Sequence, residues 1–251
     1  MNLGSPITCG NTAQIFKNNN KVIKVFKDHL PHTASLDEAR KQKYAHACGL
    51  SVPKVLDVTT INGKQAIIME FIKGRTIGDI VTENMDLAEY YMNISVHIQQ
   101  KIHRIVTHSL EPMSVKLSRQ IKTAQSLNSR QKLALQENLN AMTYDKRLCH
   151  GDFHLFNLIM SDDGKVTIID WIDSSAGDIR ADVYRTYLLY KQVSCHLANM
   201  YLRIYCNKSG LSKDDIFKWE PIIAGARLSE NVPLENHERL IKIVDKYSPS
   251  I

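Results

Sequence analysis

The stretch LCHGDFHLFNLIM, residues 148–160, places four polar side chains among seven large apolar ones. The polar residues are His150, Asp152, His154 and Asn157. A polar group that is buried without a hydrogen-bond partner costs roughly 1–3 kcal/mol, so four of them in an apolar segment indicate a specific task. The task must be one that uses an aspartate and an asparagine five residues apart, Asp152 and Asn157.

A second acidic residue follows at the end of a short apolar strand. The sequence KVTIIDWI, residues 165–172, is rich in β-branched side chains and follows the turn signal DDG at 162–164. The resulting hairpin brings Asp170 beside the first segment. Asp152, Asp170 and the Asn157 amide oxygen then face one point, and such oxygen ligands suit Mg²⁺. With one carboxylate left to orient a hydroxyl, these are the parts that phosphoryl transfer requires.

Phosphoryl transfer also needs a cation that holds phosphate, and the amino-terminal region offers one. Lys24 lies in the middle of the apolar strand KVIKVF, residues 21–26, and Glu38 on the following helix is its expected counter-ion. Gly10, in the preceding loop TCGNTA, would let the backbone approach a phosphate. Simpler explanations remain open. Lys24 can be a surface lysine, and Glu38 can be the capping-box partner of Ser35.

The pattern of apolar residues changes near residue 72. Alternating segments before this point predict strands and hairpins, with one helix at 35–48. After it, residues 86–107, 114–142 and most of the chain beyond Asp182 have helical patterns. We therefore expect an α+β fold, with a small β-rich domain at residues 1–72 and a larger, mainly helical domain at residues 75–251.

Composition bears on compartment and partners. No apolar run approaches the ~18 residues of a membrane span, and the first residues do not resemble a signal peptide. Five scattered cysteines without a CxxC pair fit the reduced thiols of a cytoplasmic protein. A zinc site built from Cys149, His150 and His154 is disfavoured, because their spacing matches no common ligand pattern. The net charge of +6 comes without an Arg-rich block, so we expect no nucleic-acid partner and no membrane partner.

Taken together, the motifs resemble those of a known enzyme family. HGDFHLFN followed by IIDW is similar to the HGDxxxxN motif and the later strand-ending aspartate of the aminoglycoside phosphotransferase and choline kinase family. GDIRADVYRTYLLY, residues 177–190, resembles the family's G-D-x-x-x-D segment. WEPIIAGARLSE, residues 219–230, resembles carboxy-terminal helices of unassigned bacterial members. The resemblance covers nearly the whole chain and implies a bilobal, protein-kinase-like fold.

The resemblance also implies catalytic roles for individual residues. Asp152 corresponds to the catalytic base, and Asn157 and Asp170 correspond to ligands of Mg²⁺. Asp178 corresponds to a structural residue, which we expect to cap the next helix. The aromatic run YRTYLLY is better explained as core packing than as a cage for a quaternary amine.

A nucleotide site is implied in the amino-terminal domain. Lys24 corresponds to the lysine that binds the phosphates of ATP or GTP, and Glu38 to its ion-pair partner. The segment IIMEFIKG, residues 67–74, resembles the family's hinge. Backbone groups of Met69, Glu70 and Phe71 are then expected to face the adenine, in a hinge at about residues 69–74.

We therefore expect a small-molecule O-phosphotransferase that moves the γ-phosphate of ATP or GTP to a hydroxyl of an aminoglycoside-like, amino-alcohol or sugar acceptor. Residues 211–251 carry seven acidic and six basic side chains, a balance that does not select among these acceptors. One alternative is a catalytically inactive, nucleotide-binding regulatory module. A protein kinase is a weaker alternative, because HGD replaces the HRD of that family and Trp171 follows Asp170 where that family has Phe. The oligomeric state is not predicted.

Overall fold

A computed structural model describes residues 3–230, 232 and 235–247, which form two compact units. The first comprises residues 3–84 and Leu155–Asp173, and the second comprises the other described residues from Met85 onward. Residues 1–2, 231, 233–234 and 248–251 of the two expected domains lie outside the described residues. The expected division into a nucleotide-binding domain at residues 1–72 and a catalytic domain at residues 75–251 stays a prediction.

The elements of the described residues are these, in chain order. The strands are β1 (Thr8–Cys9), β2 (Ala13–Asn18), β3 (Lys21–Phe26), β4 (Val55–Ile61), β5 (Lys64–Glu70), β6 (Arg75–Thr76), β7 (Arg147–Cys149), β8 (Leu158–Met160), β9 (Val166–Ile168) and β10 (Ser175–Gly177). The α-helices are α1 (Ala34–Ala47), α2 (Ile77–Glu83), α3 (Ala88–His103), α4 (Met113–Thr123), α5 (Ser129–Ala141), α6 (Ile179–Val193), α7 (Cys195–Ser209), α8 (Lys213–Phe217), α9 (Glu220–Arg227) and α10 (His237–Tyr247). Short 3₁₀ helices lie at Met85–Leu87, Leu155–Asn157 and Leu228–Glu230.

A five-stranded antiparallel sheet, in the order β1-β2-β3-β5-β4, forms the main part of the first unit. Side chains alternate between the two faces of a strand, so β3 sends Ile23 and Val25 to one face and Lys24 and Phe26 to the other. Phe26 packs in a cluster with residues of α1. The strand periodicity therefore places Lys24 on the face that α1 covers.

The start of α1 differs from the sequence prediction. The helix begins at Ala34 with Thr33 as its N-cap, and Thr33 makes no side-chain capping bond. Ser35 lies inside the first turn, where its amide donates to Gln65 Oε1 at 3.0 Å. The prediction of a capping box between Ser35 and Glu38 was wrong, because a side chain from β5 satisfies an amide of the first turn instead.

Helices and a two-stranded ladder of β7 and β10 make up the second unit. The region expected to be helical, roughly 114–142, contains two helices, because α4 ends at Thr123 and a capping box between Asn128 and Gln131 begins α5. Tyr184 and Tyr187 of the YRTYLLY run are buried, so the prediction of core packing is confirmed. None of the helices in the described ranges is both long enough and apolar enough to cross a membrane.

Candidate functional site

Lys24 is the centre of a buried charge cluster in the first unit. Its ammonium lies 2.7 Å from Glu38 Oε1 and 2.8 Å from Asp170 Oδ1. Lys24 and Glu38 are 5% and 1% exposed, whereas the Asp170 side chain is 33% exposed. The expected ion pair between Lys24 and Glu38 is therefore present, and Asp170 joins it from a segment 146 residues later in the chain.

Burial and charge act in opposite directions on these groups. Burial lowers the pKa of Lys24, but the two carboxylates outweigh it and the net shift is upward. Burial raises the pKa of Glu38 to about 7, although Lys24 opposes this shift. Glu38 Oε2 is also buried and accepts no hydrogen bond from any described residue, so the ionised form of Glu38 depends on the contact between Oε1 and Lys24. Lys24 is thus a fixed cation, and Asp170 is its more solvent-accessible partner.

The hairpin of β8 and β9 positions Asn157 next to the residue that precedes Asp170. Leu158 pairs with Ile168, and one step further along the ladder the Ile169 amide donates to the Asn157 carbonyl at 3.0 Å. The strand expected at 165–172 is shorter than predicted, because β9 ends at Ile168 and Asp170 adopts a left-handed φ of 63°. Such a conformation is uncommon outside glycine and is often found at functional sites. In this conformation the Asp170 carboxylate contacts Lys24.

The donor set of this hairpin fits a hard cation. Asn157 is 7% exposed, and it and Asp170 supply amide and carboxylate oxygens, the ligands that Mg²⁺ takes in proteins. Mg²⁺ normally keeps several waters and is held by one or two carboxylates with substrate phosphates. The two residues therefore fit a magnesium site that a bound nucleotide would complete.

Gly10 lies in an exposed loop between β1 and β2. Its amide donates to the Ala13 carbonyl at 2.9 Å. A Cβ at this position would meet the Ala13 carbonyl oxygen at 3.7 Å, which is an ordinary contact. The fold therefore does not need a glycine here, and its contact with phosphate stays a prediction.

The expected hinge lies at the end of β5 and just beyond it. Met69 pairs with Val22 of β3, so it lies inside the sheet. The Glu70 amide donates to the Lys54 carbonyl at 2.9 Å, and the Phe71 amide donates to the Asn20 carbonyl at 3.1 Å. These two amides are thus used within the protein, and contacts to adenine by this segment stay a prediction.

Asp152 belongs to the second unit, where the preceding residues form a tightly held turn. Gly151 has a left-handed φ of 81°, a conformation that glycine adopts without strain. Its amide donates to Asp182 Oδ1 at 2.7 Å, and the His150 amide donates to Asp182 Oδ2 at 3.3 Å. The Asp152 amide donates to the ring Nδ1 of the fully buried His150 at 3.3 Å. The HGD sequence is therefore a backbone turn that presents the Asp152 carboxylate.

The environment of Asp152 favours its ionised form. His154 Nε2 lies 3.5 Å from Asp152 Oδ2. Burial raises the pKa of Asp152, but the hydrogen bond and charge of His154, with Arg185 and His150, outweigh it and hold the pKa well below its usual range. A carboxylate that is ionised at neutral pH can accept a hydrogen bond from a hydroxyl and orient it for attack.

Asp182 is a supporting residue that the sequence reasoning missed. It is 1% exposed and accepts hydrogen bonds from the His150 and Gly151 amides and from His103, whose Nε2 lies 2.9 Å away. The signal was present, since Asp182 is the second aspartate of the G-D-x-x-x-D segment. The first, Asp178, caps α6 by accepting from the Arg180 amide at 2.8 Å, as expected.

One buried group of possible metal ligands occurs among the described residues. The ligand atoms of His103, Cys149 and Asp182 lie within 4.8 Å of one another. His103 is hydrogen-bonded to Asp182 and to the Tyr205 hydroxyl, the latter at 2.6 Å. Burial raises the pKa of Cys149, which keeps its thiol protonated and a poor ligand. The group is thus a hydrogen-bonded core cluster, and its Asp182 also holds the His150 and Gly151 amides.

Comparison with known protein families decides the classification. The model of the phosphotransferase enzyme family matches residues 15–220. The chain belongs to this family. The match spans both the Lys24 cluster and the HGDFHLFN motif, so the resemblance inferred from the motifs and the assignment as a phosphotransferase enzyme are confirmed. A search of curated proteins gave no match.

Solved structures of phosphotransferases share the fold. Choline kinase LicA from Streptococcus pneumoniae is 17% identical with a TM-score of 0.64, over 98% of this chain and 92% of that one. Aminoglycoside phosphotransferase APH(3'')-Id from Streptomyces rimosus, in complex with ADP and streptomycin, is 14% identical with a TM-score of 0.67, over 90% and 92%. A thermostable mutant of APH(4)-Ia, in ternary complex with ADP and hygromycin B, is 13% identical with a TM-score of 0.70, over 98% and 94%. The prediction of a protein-kinase-like α+β fold is confirmed.

Proposed function

We propose that this phosphotransferase moves the γ-phosphate of ATP or GTP to a hydroxyl of a small acceptor, which is an aminoglycoside-like compound, an amino alcohol or a sugar. The observation that carries the proposal is the contact of Lys24 with both Glu38 and Asp170. A buried ammonium with a fixed charge suits phosphate, and an adjacent carboxylate suits the metal that phosphate brings.

Each candidate site residue of the first unit then has a task in nucleotide binding. Lys24 holds the phosphates, and Glu38 keeps the lysine side chain in place. Asn157 and Asp170 bind Mg²⁺, which would neutralise the charge that develops on the transferred phosphoryl group. Gly10 lies near the phosphates, and the backbone of Met69, Glu70 and Phe71 lies near the nucleobase of the bound nucleotide. Relatives of the same fold were crystallised with ADP, which supports a nucleotide donor.

Asp152 is the proposed base. Its depressed pKa makes it a weak proton acceptor in the ground state, so its first task is to orient the acceptor hydroxyl toward the phosphorus. A proton moves to it only as the oxygen–phosphorus bond forms and the hydroxyl becomes acidic. Such positioning and electrostatic effects account for most of the rate enhancement in phosphoryl transfer.

The acceptor class rests on the relatives. Streptomycin and hygromycin B are bound in two structures of the same fold, and another is a choline kinase. Aminoglycosides, amino alcohols and sugars all carry a hydroxyl that a carboxylate such as Asp152 can orient. These classes are therefore the first acceptors to test.

The test is a measurement of ADP or GDP release with Mg²⁺ against three pools: aminoglycosides, choline with other amino alcohols, and sugars. We expect one pool to stimulate release and its active member to gain one phosphate in mass. Nucleotide binding without stimulation by any pool would contradict the proposed acceptor classes and would favour a nucleotide-binding regulatory module. Phosphate transfer to protein substrates alone would favour a protein kinase.

A further inference from the structure

Arg185, on helix α6, contacts the backbone of the turn His150–Gly151–Asp152. This turn presents the proposed base and is called the catalytic turn below. Arg185 Nε donates to the Gly151 carbonyl at 3.1 Å, and the residue is 7% exposed. Arg185 follows Asp182 by three positions, so both side chains project from the same face of α6. One helix face thus supplies an acceptor for the Gly151 amide and a donor for the Gly151 carbonyl.

The two contacts fix the peptide groups on either side of Gly151. The peptide before it is held through its N–H by Asp182. The peptide after it is held through its carbonyl by Arg185 and through its N–H, which belongs to Asp152, by the His150 ring. A glycine at φ 81° has wide conformational freedom, so without these bonds the second peptide can rotate. Rotation of that peptide would re-aim the Asp152 carboxylate.

Glu230 binds the other end of the Arg185 guanidinium group. Arg185 Nη2 donates to Glu230 Oε2 at 2.8 Å. Arg227 Nη1 also donates to Glu230 Oε2, and Gln120 Nε2 donates to Glu230 Oε1 at 3.3 Å. Arg227 is bound in turn by Glu235 through its Nε at 3.0 Å. Because a planar guanidinium presents its donors in a fixed geometry, anchoring Nη2 sets the direction of the Nε–H bond.

We propose that Arg185 is a positioning residue for Asp152, and that Glu230 orients Arg185 for this task. The inference rests on the proposed function only in that Asp152 is taken as the base. The network links the segment from α9 to α10 with the catalytic turn, since Arg227 ends α9 and Glu235 lies just before α10. The carboxy-terminal part of the chain thereby takes part in aiming the base.

The experiment compares wild type with Arg185→Met, Arg185→Lys and Glu230→Gln, using the acceptor found in the pool assay. The matched control is Arg203→Met, because Arg203 forms an exposed ion pair with Glu89 in the same unit. Two readouts are taken. One is kcat and KM for nucleotide and acceptor, and the other is hydrogen–deuterium exchange of the peptide that covers residues 148–156.

We expect Arg185→Met to lower kcat by about tenfold to a hundredfold, because a misplaced catalytic group costs rate rather than nucleotide affinity. Both KM values should change by less than about threefold, as for loss of an interaction made in the transition state. Exchange should become faster at residues 148–156. Arg185→Lys should recover part of both effects by donating to the Gly151 carbonyl, Glu230→Gln should have a smaller effect in the same direction, and Arg203→Met should match wild type.

Two results would overturn the inference. One is an Arg185→Met protein whose exchange at residues 148–156 and kcat equal those of wild type. The other is a loss of kcat that matches the loss of folded protein, with wild-type activity per folded molecule. If Arg185→Met does not fold, Glu230→Gln decides by the same readouts. If wild type transfers no phosphate, the proposed function fails, while the exchange measurement still decides whether Arg185 holds the turn.

Discussion

Lys24 Nζ lies 2.8 Å from Asp170 Oδ1, although 146 residues separate the two in sequence. The same ammonium lies 2.7 Å from Glu38, so one cation bridges a strand, a helix and the end of a hairpin. Asp170 is the more exposed of the two carboxylates and the one with a left-handed backbone. This arrangement makes Lys24 the link between phosphate binding and metal binding in the proposed reaction.

Replacing Lys24 tests that link. Lys24→Met should lower kcat/KM for the nucleotide by about a hundredfold, since it removes the charge that holds the nucleotide phosphates in the proposed reaction. It should also lower the free energy of unfolding by about 3 kcal/mol, because Glu38 is left buried without its partner. Steady-state kinetics and denaturant unfolding measure the two effects.

The double variant Lys24→Met with Glu38→Gln separates stability from catalysis. It removes the buried charge, so it should recover most of the lost free energy of unfolding. The activity should stay low, because no cation is restored. Full recovery of activity in this double variant would show that Lys24 serves the fold alone.

Asp170 is expected to set the magnesium dependence. Asp170→Asn should raise the Mg²⁺ concentration for half-maximal rate and lower kcat by about a hundredfold, since a carboxylate ligand is lost. Lys24 keeps Glu38, so the melting temperature should change little. Asp37→Asn is the matched control, because Asp37 is an exposed carboxylate in α1. A wild-type magnesium dependence in Asp170→Asn would rule out Asp170 as a ligand.

Gly10→Ala tests the approach of the loop to phosphate. The fold accommodates the new methyl group, so the free energy of unfolding should be unchanged or higher by about 0.5 kcal/mol through the unfolded chain. A phosphate in close contact with the backbone would be displaced, which should raise KM for the nucleotide severalfold. KM for the acceptor serves as the internal control. An unchanged KM for the nucleotide would mean that this loop does not clamp the phosphates.

Asp182 gives the fold a defined acid dependence. Burial raises the pKa of Asp182, but the bond and charge of His103 and the Gly151 amide outweigh it, and the net pKa is below the ordinary 3.8. A lowered folded-state pKa means that the stabilisation is present above pH 3.8 and is lost as the pH falls through the folded value. Asp182→Asn should therefore lower the free energy of unfolding by about 3 kcal/mol at neutral pH. The difference in this free energy between wild type and the variant should narrow below pH 3.8.

Urea unfolding of both proteins from pH 3 to pH 7 measures this gap, with Asp145→Asn as an exposed control. Asp145 lies in the same unit with its side chain 87% exposed. A constant gap across this pH range would mean that ionisation of Asp182 contributes nothing to stability.

The sequence was sufficient to predict candidate site residues that lie close together in the chain. Asp152, Asn157 and Asp170 were predicted from spacing and one hairpin, because a turn signal and β-branched residues are local properties. Lys24 with Glu38 was also accessible, since a lysine between two core residues of a strand needs a counter-ion. The ladder of β8 and β9 then places Asn157 next to Ile169, as a hairpin must.

Contacts between distant segments were not accessible in this way. Arg185 meets Glu230 across 45 residues, and nothing in a helical pattern specifies which buried arginine pairs with which carboxylate. Ser35 and Glu38 had the spacing of a capping box, but the Ser35 amide donates its hydrogen bond to the Gln65 side chain of β5. The break between α4 and α5 had a local signal, the Asn128 and Gln131 pair, which helical periodicity alone did not reveal.

The most direct test of the central claim is acceptor phosphorylation by wild type and Asp152→Asn, followed by mass spectrometry and ADP release with the acceptor found in the pool assay. Asp145→Asn, seven positions earlier in the chain, is the control. We expect wild type and the control to transfer phosphate to the acceptor, and Asp152→Asn to be slower by about a hundredfold or more with nucleotide binding retained. Equal rates in wild type and Asp152→Asn would contradict the assignment of Asp152 as the base and, with it, the proposed mechanism.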